Sequence, residues 1–198
     1  MIRHGETPWT IAGRYQGLTD MPLSRKGIQQ AKALARALKD DRPAFLYTSA
    51  LRRARDTARF IGAKIGVREI VDARLNELDF GRWEGISYRR LARSGGSQFR
   101  RWREGKLKRP PGGESVTSLA RRAGQFLEDI TLRHPRETVA VVAHGGPIKM
   151  ILFKALKAKD CSIWSFRIDP ASISLVEGDS RLLQIAWINQ TNHLQSLK

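Results

Sequence analysis

Apolar positions recur at steps of three and four along residues 24–40, SRKGIQQAKALARALKD. Ile28, Ala31, Leu34, Ala35 and Leu38 form one stripe, and Lys and Arg fill the other face. This spacing predicts an amphipathic helix. Pro43 interrupts the pattern, and AFLYTS follows as a short apolar run ending in Thr48-Ser49, which reads as a strand and then a helix N-cap. ALRRARDTARFIGAKIG reads as the helix itself, closed by Gly66. After Glu114-Ser115, SVTSLARRAGQFLEDITLRH carries Val116, Leu119, Ala123, Phe126, Leu127 and Ile130 on one side, again a helix. Residues 138–143 are apolar on both alternating faces, as a strand covered from both sides requires. Pro147 suits the first turn of a helix that follows. SISLVEGDSRLLQIAWIN reads as two strands joined at Gly178-Asp179-Ser180, a hairpin. The alternation predicts an α/β chain: a three-layer α/β/α sandwich with a mostly parallel sheet and an antiparallel edge.

The 198 residues are expected to form one domain, residues 1–198, large enough to bury a sizeable core. No apolar run approaches the ~18 residues of a membrane span. The first residues are not a basic-then-apolar leader, so a cytoplasmic setting with no membrane partner is expected. The single cysteine, Cys161, rules out an internal disulfide framework and fits a reducing compartment; it is read as a small buried hydrophobe. No Cys/His cluster has zinc-ligand spacing.

Charge changes the picture. Lys and Arg number 36 against 19 Asp and Glu, a net +17. A field of that sign attracts anions: nucleic acid, anionic lipid or small phosphorylated molecules. The alternative is a solvated basic surface. Residues 81–113 concentrate the charge in Arg89, Arg90, Arg93, Arg100, Arg101, Arg103, Lys106, Lys108 and Arg109, with Tyr88, Phe99 and Trp102 between them. This stretch reads as an excursion of short helix and loop over the active site. Its interleaved aromatics leave open a nucleic-acid-binding module on the same scaffold.

In open α/β sheets ligands gather at the carboxyl ends of strands. His144 falls there, between the buried run VAVVA and Gly145-Gly146, where a helix N-terminus favours an anion. It either donates to a phosphate oxygen or merely caps the helix. Arg53 has a similar address after AFLYTS, and its planar fork suits phosphate. His4 sits between Arg3 and Gly5. A neutral imidazole nitrogen can attack phosphorus to form a phosphohistidine, and arginines would neutralise the transferring oxygens. The leaving oxygen then needs an acid. Glu77, in LNELDFGRWEG, is the candidate, with an ordinary loop carboxylate as the alternative.

RHGET, SALRRARDTA, LNELDFGRWEG, PPGGES and VAHGG occur in that order. The chain resembles the histidine phosphatase superfamily, in the branch shared by phosphoglycerate mutases and small phosphatases, over nearly its whole length. The resemblance implies a phosphoglycerate mutase-like fold and no metal or other cofactor. It implies that His4 accepts the phosphoryl group, that Arg3, Arg53 and His144 line the phosphate pocket, and that Glu77 protonates the leaving alcohol and then activates water. Thr7, Gln16, Gly17 and the backbone at Gly145 lie where relatives approach substrate. Glu6 is expected to structure its loop.

The stretch from Gly81 to Gly113 is short, as in the phosphatases. GRWEG, PPGGES, FRIDPASISLVE and the closing NQTNHL resemble the α-ribazole phosphatase group of cobalamin synthesis, and also broad-specificity and phosphoserine phosphatases. A mutase is the alternative enzyme. The expected partner is a small phosphorylated substrate, and the expected assembly a monomer or homodimer. Family members carry an apolar strand of about five residues before the Arg-His pair. Only Met1 and Ile2 precede it here, so most of that strand is expected to lie upstream, with a short variant in which Met1-Ile2 is a strand stub as the alternative.

Overall fold

Leu46 and Tyr47 are neighbours on one strand, and each is buried in a different core. That alternation summarises the architecture. The computed structural model describes residues 1–94, 96–158 and 163–197; Cys161 lies outside them. In chain order the strands are β1 (Ile2–Arg3), β2 (Phe45–Thr48), β3 (Glu69–Val71), β4 (Val139–Ala143), β5 (Ile173–Gly178) and β6 (Leu183–Gln190). The helices are α1 (Pro8–Ile11), α2 (Arg25–Ala37), α3 (Arg52–Ile65), α4 (Tyr88–Ser94), α5 (Gly96–Arg103), α6 (Val116–Arg133) and α7 (Gly145–Ala155).

The sheet order is β3-β2-β4-β1-β5-β6. The first four of these pair in parallel; β5 and β6 run antiparallel. The mixed sheet with an antiparallel edge is as expected. Ala140 and Val142 of β4 join Leu46 in the core under α2 and α3, while Val141 and Ala143 join Tyr47 under α6 and α7. A strand sandwiched this way needs apolar residues at successive positions, which is why VAVVA is unbroken.

The predicted helices form with trimmed ends. Ala31, Leu34, Ala35 and Leu38 are buried, but Ile28 of the same stripe is 36% exposed. Two elements escaped the hydrophobic pattern. β3 is an edge strand whose Ile70 and Val71 face outward, and α1 is one short turn begun by Thr7. β1 is two residues long, yet it pairs with β4 on one side and β5 on the other, placing His4 at the carboxyl end of an interior strand.

The excursion forms α4 and α5. Its cations point to solvent, whereas Phe99 and Trp102 are 2% and 1% exposed. These rings pack edge-on against Trp83 and Phe80. The stacking platform for bases suggested by the sequence is therefore turned inward, because the two short helices need those rings to attach to the sheet.

The catalytic-end loop closes tightly on α2. Ser24 caps α2 through the Gly27 N–H (3.0 Å) and donates to Glu6 Oε1 (3.0 Å), so Glu6 does structure its loop. A Cβ on Gly27 would meet Glu6 O at 2.0 Å. Gly27→Ala is therefore expected to push the 5–7 loop outward and lower the melting temperature. Thermal unfolding of the purified variant checks this; an unaltered melting temperature would show that the loop can shift freely.

Candidate active site

Three elements deliver the site to one end of the sheet. His4 leaves β1 with its N–H bonded to Ala143 O (3.0 Å). Arg53 lies in the first turn of α3, and His144 is the N-cap residue of α7. All three are buried at 1%, 0% and 0% exposure, and the two imidazole centroids are 5.0 Å apart.

Hydrogen bonds assign the imidazole protons. His4 Nδ1 lies 2.7 Å from Gly5 O, an atom that can only accept, so Nδ1 carries the proton and Nε2 the lone pair. Arg53 Nε–H donates to His144 Nδ1 (3.2 Å), which places the His144 proton on Nε2, toward Ser49 Oγ (2.8 Å). Ser49 passes its own proton to Asn76 Oδ1 (2.8 Å). Burial, then the charges of Arg53 and Arg3, hold His4 well below the usual imidazole value. Burial, then Arg53, does the same to His144. Both rings are neutral at pH 7.

Arg53 is fixed on three sides: to His144, to Thr19 O through one terminal nitrogen (2.9 Å) and to Gly17 O through the other (2.8 Å). Each terminal nitrogen keeps one further N–H. Burial lowers the Arg53 pKa to about 10, so it stays charged. Arg3 donates to Ile168 O (2.5 Å), and its buried Nε–H has no partner among the described residues. An unpaired buried donor is costly, and an anion in the cleft would satisfy it.

Glu77 occupies the other side. Its Oε1 accepts from the Gly146 N–H (3.0 Å) in the first turn of α7 and from Leu78 N–H (2.9 Å). A Cβ on Gly146 would lie 2.3 Å from that oxygen, which accounts for the second glycine of VAHGG. The group that this helix N-terminus holds is thus the carboxyl of Glu77. Arg122 of α6 holds the loop from behind: it donates to the carbonyls of Arg74, Asn76 and Glu77 and forms a two-pronged pair with Glu114. That pair gives the Glu of PPGGES its place.

Arg3, His4, Gln16, Gly17, Arg53 and Glu77 line one cleft of about 400 Å³. Three expected contacts sit differently. Thr7 is fully buried, caps α1 and donates to Gln16 Oε1 (2.8 Å), supporting a lining residue from behind. His144 is beside His4, but both its ring nitrogens are engaged, so as it stands it orients Arg53 rather than offering a phosphate donor. Gly145 lies near Glu77 outside the lining. The lining includes no residue of 81–113; the excursion backs the wall made by Tyr15 and Phe80 rather than covering the cleft. Thr10, Gly13, Arg14, Tyr15, Phe80, Arg167, Asp169 and Pro170 complete the lining and were not singled out in the sequence, although Arg167 and Asp169 fall within FRIDPASISLVE. Arg122 was hidden among helix arginines. Ser49 was visible only as a helix-start signal.

The family model for the histidine phosphatase superfamily (branch 1) matches residues 1–191. Phosphoserine phosphatase 1 of Hydrogenobacter thermophilus is 36% identical over 195 residues, 98% of this chain and 92% of its own. The metal-independent phosphoserine phosphatase of Arabidopsis thaliana is 33% identical over 202 residues, 100% of this chain and 83% of its own. The solved structure of a mycobacterial glucosyl-3-phosphoglycerate phosphatase in complex with VO3 matches with a TM-score of 0.87 at 32% identity, covering 96% of this chain and 98% of that one.

The lowered imidazole values have a definite sign. The unfolded chain binds protons at His4 and His144 from pH 6.5 downward, where the folded chain does not. Stability must therefore fall as pH drops below about 6.5. The melting temperature is expected to decline between pH 7 and 5, less steeply in His144→Gln; parallel declines would place the linked protons elsewhere. Arg122→Met, which frees three loop carbonyls, is expected to lower kcat about tenfold or more with a smaller change in KM, read by steady-state kinetics.

Proposed function

The chain belongs to the histidine phosphatase superfamily and is a phosphatase of a small phosphorylated metabolite, and from that premise we propose that it works without a metal, through a phosphohistidine on His4. The observation that carries this reading is the pair of proton positions: His4 Nδ1 is committed to Gly5 O, leaving the Nε2 lone pair as the nucleophile. In the first step Nε2 attacks phosphorus, the P–N bond forms and the ester P–O bond breaks. Glu77 enters this step protonated and gives that proton to the leaving oxygen. In the second step Glu77 takes a proton from water, which attacks phosphorus and releases His4 with inorganic phosphate. Arg3 and the unspent N–H groups of Arg53 neutralise the transferring oxygens, the task a metal would otherwise perform.

Two substrate classes are supported by different walls of the cleft. Its charged rim, Arg14, Arg167 and Asp169, favours a small ester with charged groups of its own, as in the phosphoserine phosphatases among its relatives. Its aromatic wall, Tyr15 against Phe80 with centroids 4.6 Å apart, supports α-ribazole 5'-phosphate as the second reading, with the base on the rings.

Phosphate release from p-nitrophenyl phosphate in excess EDTA tests the proposal. The wild type is expected to retain its rate, and His4→Ala to lose at least about 10³-fold, together with the acid-labile phosphoenzyme seen after rapid quenching. Loss of activity in EDTA, or a competent His4→Ala, would overturn the mechanism.

A further inference from the structure

The cleft poses an electrostatic problem. Its floor is cationic, with Arg3 and Arg53 placed for a phosphate dianion. Yet a carboxylate, Asp169, lines the same cleft. Arg167, in the same lining, balances it, and the bare charge of Asp169 would repel the phosphate if that pair opened without a cation of the substrate to replace Arg167. Asp169 is also firmly ionised. Burial works against its charge, but the hydrogen bond from Asn189 and the contact with Arg167 outweigh that and hold it below the usual carboxylate range.

Asp169 is built into the wall. Asn189 Nδ2 donates to its Oδ2 (2.9 Å), and its own N–H donates to Asn189 Oδ1 (2.6 Å). The segment around it is tied to the strand that carries the nucleophile. The Ala171 N–H points at the carbonyls of Arg3 (3.1 Å) and His4 (3.0 Å), and Ile168 O receives Arg3. Asp169 is thus held at a fixed offset from His4. Its Oδ1 has a looser partner, Arg167 at 2.7 Å, whose side chain is 84% exposed. Such a pair contributes little to stability and exchanges readily. Together Arg167 and Asp169 present one positive and one negative group side by side at the mouth, the mirror image of an α-amino acid's carboxylate and ammonium.

We propose that Asp169 and Arg167 select a zwitterionic substrate, the phosphate ester of a hydroxy-α-amino acid, with the α-ammonium on Asp169 Oδ1 and the α-carboxylate on the Arg167 guanidinium. The proposal rests on the phosphomonoesterase reading above and specifies its substrate. Binding opens the Arg167–Asp169 pair and replaces it with two pairs to the substrate, so no charge in the mouth is left alone. Arg14, which donates to Gly85 O (2.9 Å), is a further cation of the same lining.

Three probes separate the contributions. L-phosphoserine carries both groups, 3-phosphoglycerate has a hydroxyl in place of the ammonium, and O-phosphoethanolamine lacks the carboxylate. The wild type is expected to prefer L-phosphoserine to each by about tenfold or more in kcat/KM. Asp169→Asn keeps the shape and the Asn189 contacts; it should erase the preference over 3-phosphoglycerate. Arg167→Gln should erase the preference over phosphoethanolamine, with the change falling in KM more than in kcat. Arg167 is so exposed that its variant is expected to fold, and it keeps the test alive if Asp169→Asn does not. Lys106→Ala, a cation removed far from the mouth, should leave every ratio unchanged. Equal wild-type rates on the three probes, or variants that lower all three in proportion, would overturn the proposal. Failure of the wild type on p-nitrophenyl phosphate would instead overturn the reading on which it rests.

Discussion

A guanidinium without exposed surface organises this end of the molecule. Arg53 is charged and fully buried, and a buried charge is tolerated only where its donors are met. Meeting them requires the carbonyls of Gly17 and Thr19 and the ring of His144 to be in place together. The 17–19 loop is in turn held by Glu84, which accepts from Leu18 N–H, Thr19 N–H and the Thr19 hydroxyl. The Glu of GRWEG therefore serves Arg53 indirectly. Burial first, and then the same cation, keep both imidazoles neutral, so the charge lining the cleft reinforces what burial does to His4.

The Glu77 arm is built on a similar plan with a different arginine. Arg122 meets three loop carbonyls and the carboxylate of Glu114, and the α7 N-terminus meets Glu77 itself. Arg53 and the Glu77 loop are thus held from opposite sides of the sheet, by α3 on one and α6 on the other. The excursion follows another logic. Its aromatic residues are used up in attachment, and its arginines are left to water. Much of the +17 charge is therefore a property of the surface, while the few cations that shape chemistry are buried or line the cleft.

What could be read from the sequence follows from the range over which each force acts. Helices α2, α3 and α6 declare themselves through local periodicity, and β4 through an unbroken apolar run. The edge strand β3 has no such mark, because Ile70 and Val71 owe their strand to pairing with β2 rather than to burial. His4, Arg3, Arg53 and Glu77 were recognisable because their motifs are contiguous in the chain. His144 was found beside His4 and Arg53, but nothing local shows that Ser49, 95 positions away, meets its second nitrogen. Arg122, Arg167 and Asp169 were invisible for the same reason. Their meaning lies in contacts across the fold, and in a chain with 36 basic residues an arginine alone says little.

β5 meets β1 from the hairpin side of the sheet. Just ahead of it, Ser172 O accepts from the Arg3 N–H, and the Ala171 N–H donates to the carbonyls of Arg3 and His4. The segment that presents Arg167 and Asp169 to the cleft is therefore the one that fixes the backbone of His4. A change that shifts residues 168–172 moves the cleft wall and that histidine together, so the two cannot be tuned independently from this side.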